Sequence, residues 1–194
     1  MSANLGLYSV KALLILDNEG ERLYTNYYTP PKEQKGDEEN DGPLSTLKKQ
    51  QAFEKALFAK TFKQHGDIIL FESHIVVYKE VADIVIYVVG GLSENEVALS
   101  SVVDGFKEAL DKILNYQVDK KAVQENYDKV CIAVDETVDD GIILETEPSI
   151  IAARVSNTPK NEPSLKNIDL SEKGFMNAFQ FAKGKLAERL QQGL

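Results

Sequence analysis

The chain has 194 residues, an apolar fraction of 43%, a formal charge of -9 and a pI near 4.8. Length and apolar content support one domain with a proper core, or a domain with an appendage, and exclude a wholly disordered chain. The acidic balance opposes sequence-independent nucleic-acid binding, which depends on lysines and arginines displacing phosphate counterions, and the single cysteine, Cys131, excludes an internal disulfide.

The first apolar segment, LYSVKALLIL (residues 7–16), is aliphatic and β-branched and is followed by the turn set DNEG. RLYTNYY then alternates Leu23, Thr25 and Tyr27 against Tyr24, Asn26 and Tyr28, the period of a half-buried strand, so a hairpin is expected. Pro30 and Pro31 end it, because neither ring nitrogen can donate to a ladder. Residues 32–42, KEQKGDEENDG, contain no hydrophobic side chain to offset ordering entropy and read as a mobile surface loop.

A helix is expected from Pro43 or Leu44 to about Lys63. Phe53, Ala56 and Leu57 fall on one side of it, and Leu44, Leu47, Phe58 and Phe62 roughly opposite. Two apolar faces imply a helix held between its own sheet and a second body, or one partly covered by neighbouring loops. Three β-rich runs follow, DIILF (67–71), IVVYK (75–79) and DIVIYVV (83–89), joined by connectors too short for a parallel crossover. The sheet therefore reads as mostly antiparallel.

GGLSENE leads into a long helix opened by the capping pair Ser93 and Glu96, with Leu99, Val102, Val103, Phe106, Leu110 and Ile113 as its buried stripe. Asp119 is placed to cap a further helix carrying Val123, Tyr127, Val130 and Val134 and stopping near Gly141. Cys131, inside the apolar run VCIAV, reads as a buried thiol in a reducing compartment. After IIAARV, residues 156–167 are polar, contain Pro159 and Pro163, and read as a linker.

A last helix, from about Ser171 to Gln191, gathers Phe175, Ala178, Phe179, Ala182, Leu186 and Leu190 in one stripe. The organisation expected is a domain over 1–155, a linker over 156–167 and an amphipathic tail over 168–194. The tail folds back on its own domain, docks in a partner's groove, or lies on a membrane surface. No window reaches the ~18 apolar residues of a spanning helix, and the N-terminal residues lack a leader pattern. The expectation is a soluble, unsecreted chain that meets membranes only peripherally.

Residues 127–146, YDKVCIAVDETVDDGIILET, carry Asp128, Asp135, Glu136, Asp139, Asp140 and Glu145. Read as a calcium loop from Asp135, the stretch fails: Thr137 and Thr146 occupy ligand positions and Gly141 comes one place late. An acid/base pair is no better supported, since nothing cationic nearby would tune these carboxylates, which read as a solvated helix edge. GGLS lacks the ending of a phosphate-binding loop and is followed by Glu94 and Glu96, which would repel an anion; its glycines read as easing a tight turn. His65 and His74 lack zinc spacing, and no nucleophile and base signature is present. The residues therefore point to no catalytic, cofactor or metal site. Candidate protein-interaction residues are Leu47, Phe53, Leu57, Phe58 and Phe62 on the first long helix and Phe175, Phe179, Leu186 and Leu190 on the tail.

Several stretches resemble the zeta chains of coatomer, the COPI coat, in their fungal form: ALLILDNEGERLYTNYY (12–28), FEKALFAKT (53–61), ENYDKVCIAVDETVDDGIILET (125–146), IIAARVS (150–156) and ERLQQGL (188–194). The resemblance implies an α+β, longin-like fold, a five-stranded mostly antiparallel sheet with helices on both faces, plus a C-terminal amphipathic helix on a linker. It implies a non-catalytic small subunit without cofactor or metal, paired directly with the gamma subunit and assembled with beta, delta, alpha, beta-prime and epsilon. Such a subunit is cytoplasmic, is recruited through an Arf-family GTPase to Golgi membranes and COPI vesicles, and serves retrograde Golgi-to-ER and intra-Golgi transport. In that family the 127–146 stretch is helical packing and an extended strand. The rival readings are a sigma chain of a clathrin adaptor, which usually ends near the position of Val155, a longin-type regulatory domain such as that of a SNARE, and an enzyme. The linker and tail favour zeta over sigma.

Overall fold

ALLIL is apolar at every position, and such a run in a sheet needs cover on both faces. It forms most of β1 (Val10–Asp17), which is followed by β2 (Arg22–Tyr27), α1 (Leu47–Thr61), β3 (Ile68–Phe71), β4 (His74–Val81), β5 (Ile84–Gly91) and α2 (Glu96–Ile113). α3 (Lys120–Glu125), α4 (Tyr127–Thr137), the two-residue strands β6 (Val138–Asp139) and β7 (Ile142–Ile143), and α5 (Pro148–Ser156) complete the elements. This computed structural model describes residues 7–29, 44–64 and 66–156, all within one unit that runs from Met1 to Ser156. The acidic loop, His65, the linker beyond Ser156 and the tail residues Phe175, Phe179, Leu186 and Leu190 lie outside the described residues.

The main sheet has the order β2-β1-β5-β4-β3, and every pairing in it is antiparallel. β5 is the central strand and, like β1 beside it, is buried on both faces. The connectors between β3, β4 and β5 contract to two-residue turns, Glu72 with Ser73 and Ala82 with Asp83. α1 carries the chain from the β2 edge of the sheet to the β3 edge, and the meander returns it to β1.

Alternation along the strands divides the apolar side chains between two cores. Leu13, Ile15, Ile84, Ile86 and Val88 meet α2, α4 and α5 through Val103, Phe106, Val130, Val134 and Ile151. Ala12, Leu14, Leu16, Val85, Tyr87 and Val89 face α1 and meet Phe53 and Leu57.

Several local expectations change. α2 is capped by Asn95, whose side chain accepts from the Val97 amide at 2.9 Å, in place of the pair Ser93 and Glu96. The single helix expected after Asp119 is two, broken at Asn126, whose side chain donates back to the Ala122 carbonyl at 3.0 Å. α4 ends at Thr137, short of Gly141, because Val138 turns into the β6–β7 ribbon. There Gly141 has φ +82°, and a Cβ on it would lie 2.6 Å from the Val10 carbonyl oxygen. Tyr127, at the helical spacing of Val123, Val130 and Val134, is exposed where those three are buried. IIAARV, left without an assigned element by its sequence, is helical and extends one residue into the expected linker. Cys131 is half-buried at the rim of the α2 core, because it stands at the edge of the stripe that Val130 and Val134 fill.

Two contacts fix how these layers meet. A Cβ on Gly105 would lie 2.1 Å from the Thr146 carbonyl oxygen, so α2 touches the segment before α5 backbone to backbone. At the β1–β2 turn the buried Asp17 accepts from the Glu19 and Glu21 amides, each at 2.9 Å, and from Lys120 Nζ at 2.7 Å. Burial acts to raise the Asp17 pKa, but the bond from Lys120 and the two amides together outweigh it and hold it below its ordinary 3.8.

Gly105→Ala is expected to cost about 1–3 kcal/mol through forced displacement of backbone, read as a lower urea midpoint at unchanged slope. For Asp17 the sign follows from its lowered folded-state pKa. Its contribution is complete above the ordinary value of 3.8 and is lost as pH falls from there through the folded value. Lys120→Met should therefore flatten the acid limb of the stability-against-pH curve, measured by chemical denaturation from pH 6 down to pH 3.

Candidate protein interface

α1 carries most of the described interaction candidates, and its seat on the sheet decides which are available. Phe53 and Leu57 are buried at 2% and 0% exposure. Phe53 packs its ring 5.3 Å from Phe71 and 5.8 Å from His74. Both side chains are spent inside the domain and are withdrawn as interface residues. Phe58 and Phe62 are partly buried against the same core, with rings stacked at 4.6 Å, and Phe58 lies where a side chain on Gly20 would be, 2.8 Å from its Cβ position. Leu47 is 60% exposed.

The two apolar groups are therefore both engaged by the domain's own core, apart from Leu47 and Ala56. Phe53 and Leu57 stand about 140° from Phe58 and Phe62 at 100° per residue, and both pairs reach the sheet or its β1–β2 turn. The arc between them holds Glu54 and Thr61, which are buried. The Glu54 carboxylate accepts from Arg22 Nε at 2.5 Å, Arg22 Nη2 at 2.7 Å and the Tyr27 hydroxyl at 2.5 Å. The bidentate contact raises the Arg22 pKa, while burial and the neighbouring carboxylate raise that of Tyr27. Thr61 donates to the Leu57 carbonyl at 2.9 Å and meets the Tyr87 hydroxyl at 2.8 Å. Burial, the leading influence, pushes Tyr87 up to about 12. Outward on α1, besides Leu47, are Lys48, Gln51, Ala52, Lys55, Ala56, Ala59 and Lys60, all exposed.

The acidic stretch is divided by the end of α4. Glu136 accepts from Arg154 Nη1 at 3.0 Å, and the same guanidinium lies 3.8 Å from Glu145. Glu145 also accepts from the Glu147 and Thr146 amides, which with Arg154 hold its pKa down. The cation missing from the sequence reading is thus Arg154, delivered by α5, a helix that the sequence reading left unassigned. Asp135 is raised by burial, then by Asp139 and Glu136, and shares a shallow depression with Asp139, Asp140, Tyr27 and Tyr28. Among the described residues no cluster of three or more acidic, histidine or cysteine side chains is placed to hold a metal ion. His74 is in β4, at the start of the strand and not in a loop, with Nδ1 2.8 Å from the Glu72 carbonyl oxygen. Of the two glycines in GGLS, Gly90 serves packing: a Cβ there would lie 2.5 Å from a Leu99 methyl.

Exposed apolar side chains mark other parts of the surface. On β3, paired only with β4 among the described residues, Ile68 and Leu70 stand outward at 49% and 63% exposure. They face the α2 side of the sheet, opposite Val77 and Ile75, at the edge away from β5.

Glu54→Ala should cost about 2–4 kcal/mol, because it strands a half-buried guanidinium and a half-buried phenol hydroxyl. The double variant Arg22→Met/Glu54→Met should be markedly less destabilised than Glu54→Ala alone, with urea unfolding of the three proteins as the measurement.

A family profile described as clathrin adaptor complex small chain matches residues 9–162. Coatomer subunit zeta of Saccharomyces cerevisiae is 52% identical over 99% of this chain and the whole of the yeast chain. Coatomer subunit zeta-1 of Oryza sativa is 45% identical over 76% of this chain and 79% of its own, and that of Homo sapiens 37% identical over 93% and 92%. In shape the chain is similar to one in a homology model of the full-length AP-3 complex in a stretched open conformation, with a TM-score of 0.53 and 19% identity, covering 76% of this chain and 91% of that one. A sheet with α1 on one face and α2, α4 and α5 on the other is the longin-like arrangement of those small chains, and the chain belongs to the clathrin adaptor complex small chain family and, within it, to the zeta subunits of coatomer.

Proposed function

We propose that this small subunit of the COPI coat works by assembly alone, held directly by the gamma subunit and through it by beta, delta, alpha, beta-prime and epsilon. The observation that carries the reading is the match to a yeast zeta chain at 52% identity along 99% of the sequence, which runs past the small-chain profile's end at residue 162. A sigma-type adaptor chain usually ends near the position of Val155, which favours zeta.

The acidic stretch supports a role without catalysis, since Glu136 and Glu145 are tied to Arg154 and serve packing between α4 and α5. Contact with the large subunit falls to Leu47 and the exposed flanks of Phe58 and Phe62, with the tail stripe of Phe175, Phe179, Leu186 and Leu190 as a second contact within the coat. A domain over 1–155, a linker over 156–167 and a tail over 168–194 remain the organisation that serves this role. Recruitment through an Arf-family GTPase then places the chain peripherally on Golgi membranes and COPI vesicles, from a cytoplasmic pool, in retrograde Golgi-to-ER and intra-Golgi transport.

Affinity purification of the full chain from cytosol, followed by mass spectrometry, should return gamma in equal amount together with the other coatomer subunits. Recovery of clathrin-adaptor large chains instead, or of the chain alone, would sink the proposal.

A further inference from the structure

The two layers that cover the sheet are attached by different means. α2 runs close against β4, β5, α4 and α5, and all seven of its buried residues, from Leu99 to Leu110, are apolar. α1 buries four, Phe53, Glu54, Leu57 and Thr61, and two of these are polar. Among the described residues no strand or helix comes as close to α1 as those four come to α2. α1 instead reaches across with long side chains: Phe53 extends to Phe71 with ring centroids 5.3 Å apart, and Glu54 to Arg22 and Tyr27 on β2.

A seat of this kind is held in one place or not at all. The guanidinium fork and phenol hydroxyl on Glu54 need aligned partners, and so does the 2.8 Å contact of Thr61 with Tyr87, so a small displacement of the helix forfeits them together. The opposite layer does not depend on these bonds. The two cores share no side chain, and neither the Asp17–Lys120 bond nor the Gly105–Thr146 contact involves a residue of α1. Proteins open in cooperative units of unequal stability, and the division between units falls where shared contacts are fewest.

We propose that α1 is a latched lid, which leaves the sheet as one piece while the α2 layer stays folded, with the contact of Glu54 with Arg22 and Tyr27 as its latch. Opening bares Leu14, Leu16, Val85, Tyr87 and Val89 on β1 and β5, all covered in the closed form. The domain therefore first exposes apolar surface on this face, at a frequency set by the latch and not by unfolding of the whole. The inference concerns the chain by itself and stands apart from the assembly reading.

Native-state hydrogen exchange of the full chain, followed across low urea concentrations, reads the lid directly. Amides of residues 51–61, whose bonds lie within α1, should share one opening free energy and exchange at least about a hundredfold faster than the slowest amides of α2 and β5. Their opening should depend on urea, with a smaller slope than global unfolding. Gly105→Ala strains the α2 layer equally with the lid open or closed, so it should quicken exchange in α2 and β5 and leave residues 51–61 as in the parent. Ile151→Val, in the same layer, takes its place where Gly105→Ala does not fold. Glu54→Gln should quicken both sets about tenfold or more, because its bonds are lost in either opening. A common opening free energy for residues 51–61 and the α2 amides in the parent would overturn the proposal. So would α1 amides that exchange independently of urea and of one another, which is fraying. An effect of Gly105→Ala or Ile151→Val on residues 51–61 as large as on α2 would overturn it too, as would parent-like exchange of residues 51–61 in Glu54→Gln.

Discussion

Burial of β1 and β5 on both faces is the constraint from which the rest of the domain follows. A pair of strands with no solvated side requires two covering layers, and the chain supplies them unequally. On one face α2, α4 and α5 bring Phe106, Val130, Ile151 and their neighbours into a continuous core. On the other, α1 is the covering helix among the described residues, with Phe53 and Leu57 as its fully buried apolar side chains. The deficit is made up with polar contacts: Glu54 joins α1 to β2 through Arg22 and Tyr27, and Thr61 joins it to β5 through Tyr87. Orientation of α1, and with it the identity of its outward face, is set by these directional bonds together with the burial of Phe53 and Leu57.

That division explains what the sequence disclosed and what it withheld. Strands and hairpins were legible because period-2 alternation and short connectors admit few arrangements, and the stripe on α2 because its apolar positions repeat on one side. Asp119 was legible as a cap from its place before the run, and its carboxylate accepts from the Ala122 amide at 2.7 Å. α1 was misread because a helical wheel assumes that polar residues mark the solvated arc. Glu54 and Thr61 lie between two apolar groups, and their partners come from strands distant in the chain, so the arc that looked exposed is the one turned inward. Asn126 escaped notice for a related reason: its side chain competes for the Ala122 carbonyl and divides a helix whose hydrophobic spacing continues without interruption.

The family was more legible than the interface. Segments such as ALLILDNEGERLYTNYY carry the resemblance because they are core and turn, the parts that the fold fixes, and the relatives bear it out at full length. The interface candidates were drawn from apolar side chains, and apolar side chains are what the domain's own core also selects. Phe53 and Leu57 went to the core for that reason, while the exposed positions of α1 are mostly lysine, glutamine and alanine. Arg154 shows the same limit among the charges, since its pairing with Glu136 spans helices that only the folded chain brings together.

The outer strand of the sheet has a consequence for how the protein is made. β3 is four residues long, and Ile68 and Leu70 stand outward along a ladder closed on one side among the described residues. Bare edges of this kind invite pairing with any other bare edge. A copy synthesised in excess of the other coat subunits would carry that liability. Matched stoichiometry, or swift removal of orphan copies by cellular quality control, is therefore a demand that the architecture places on the cell.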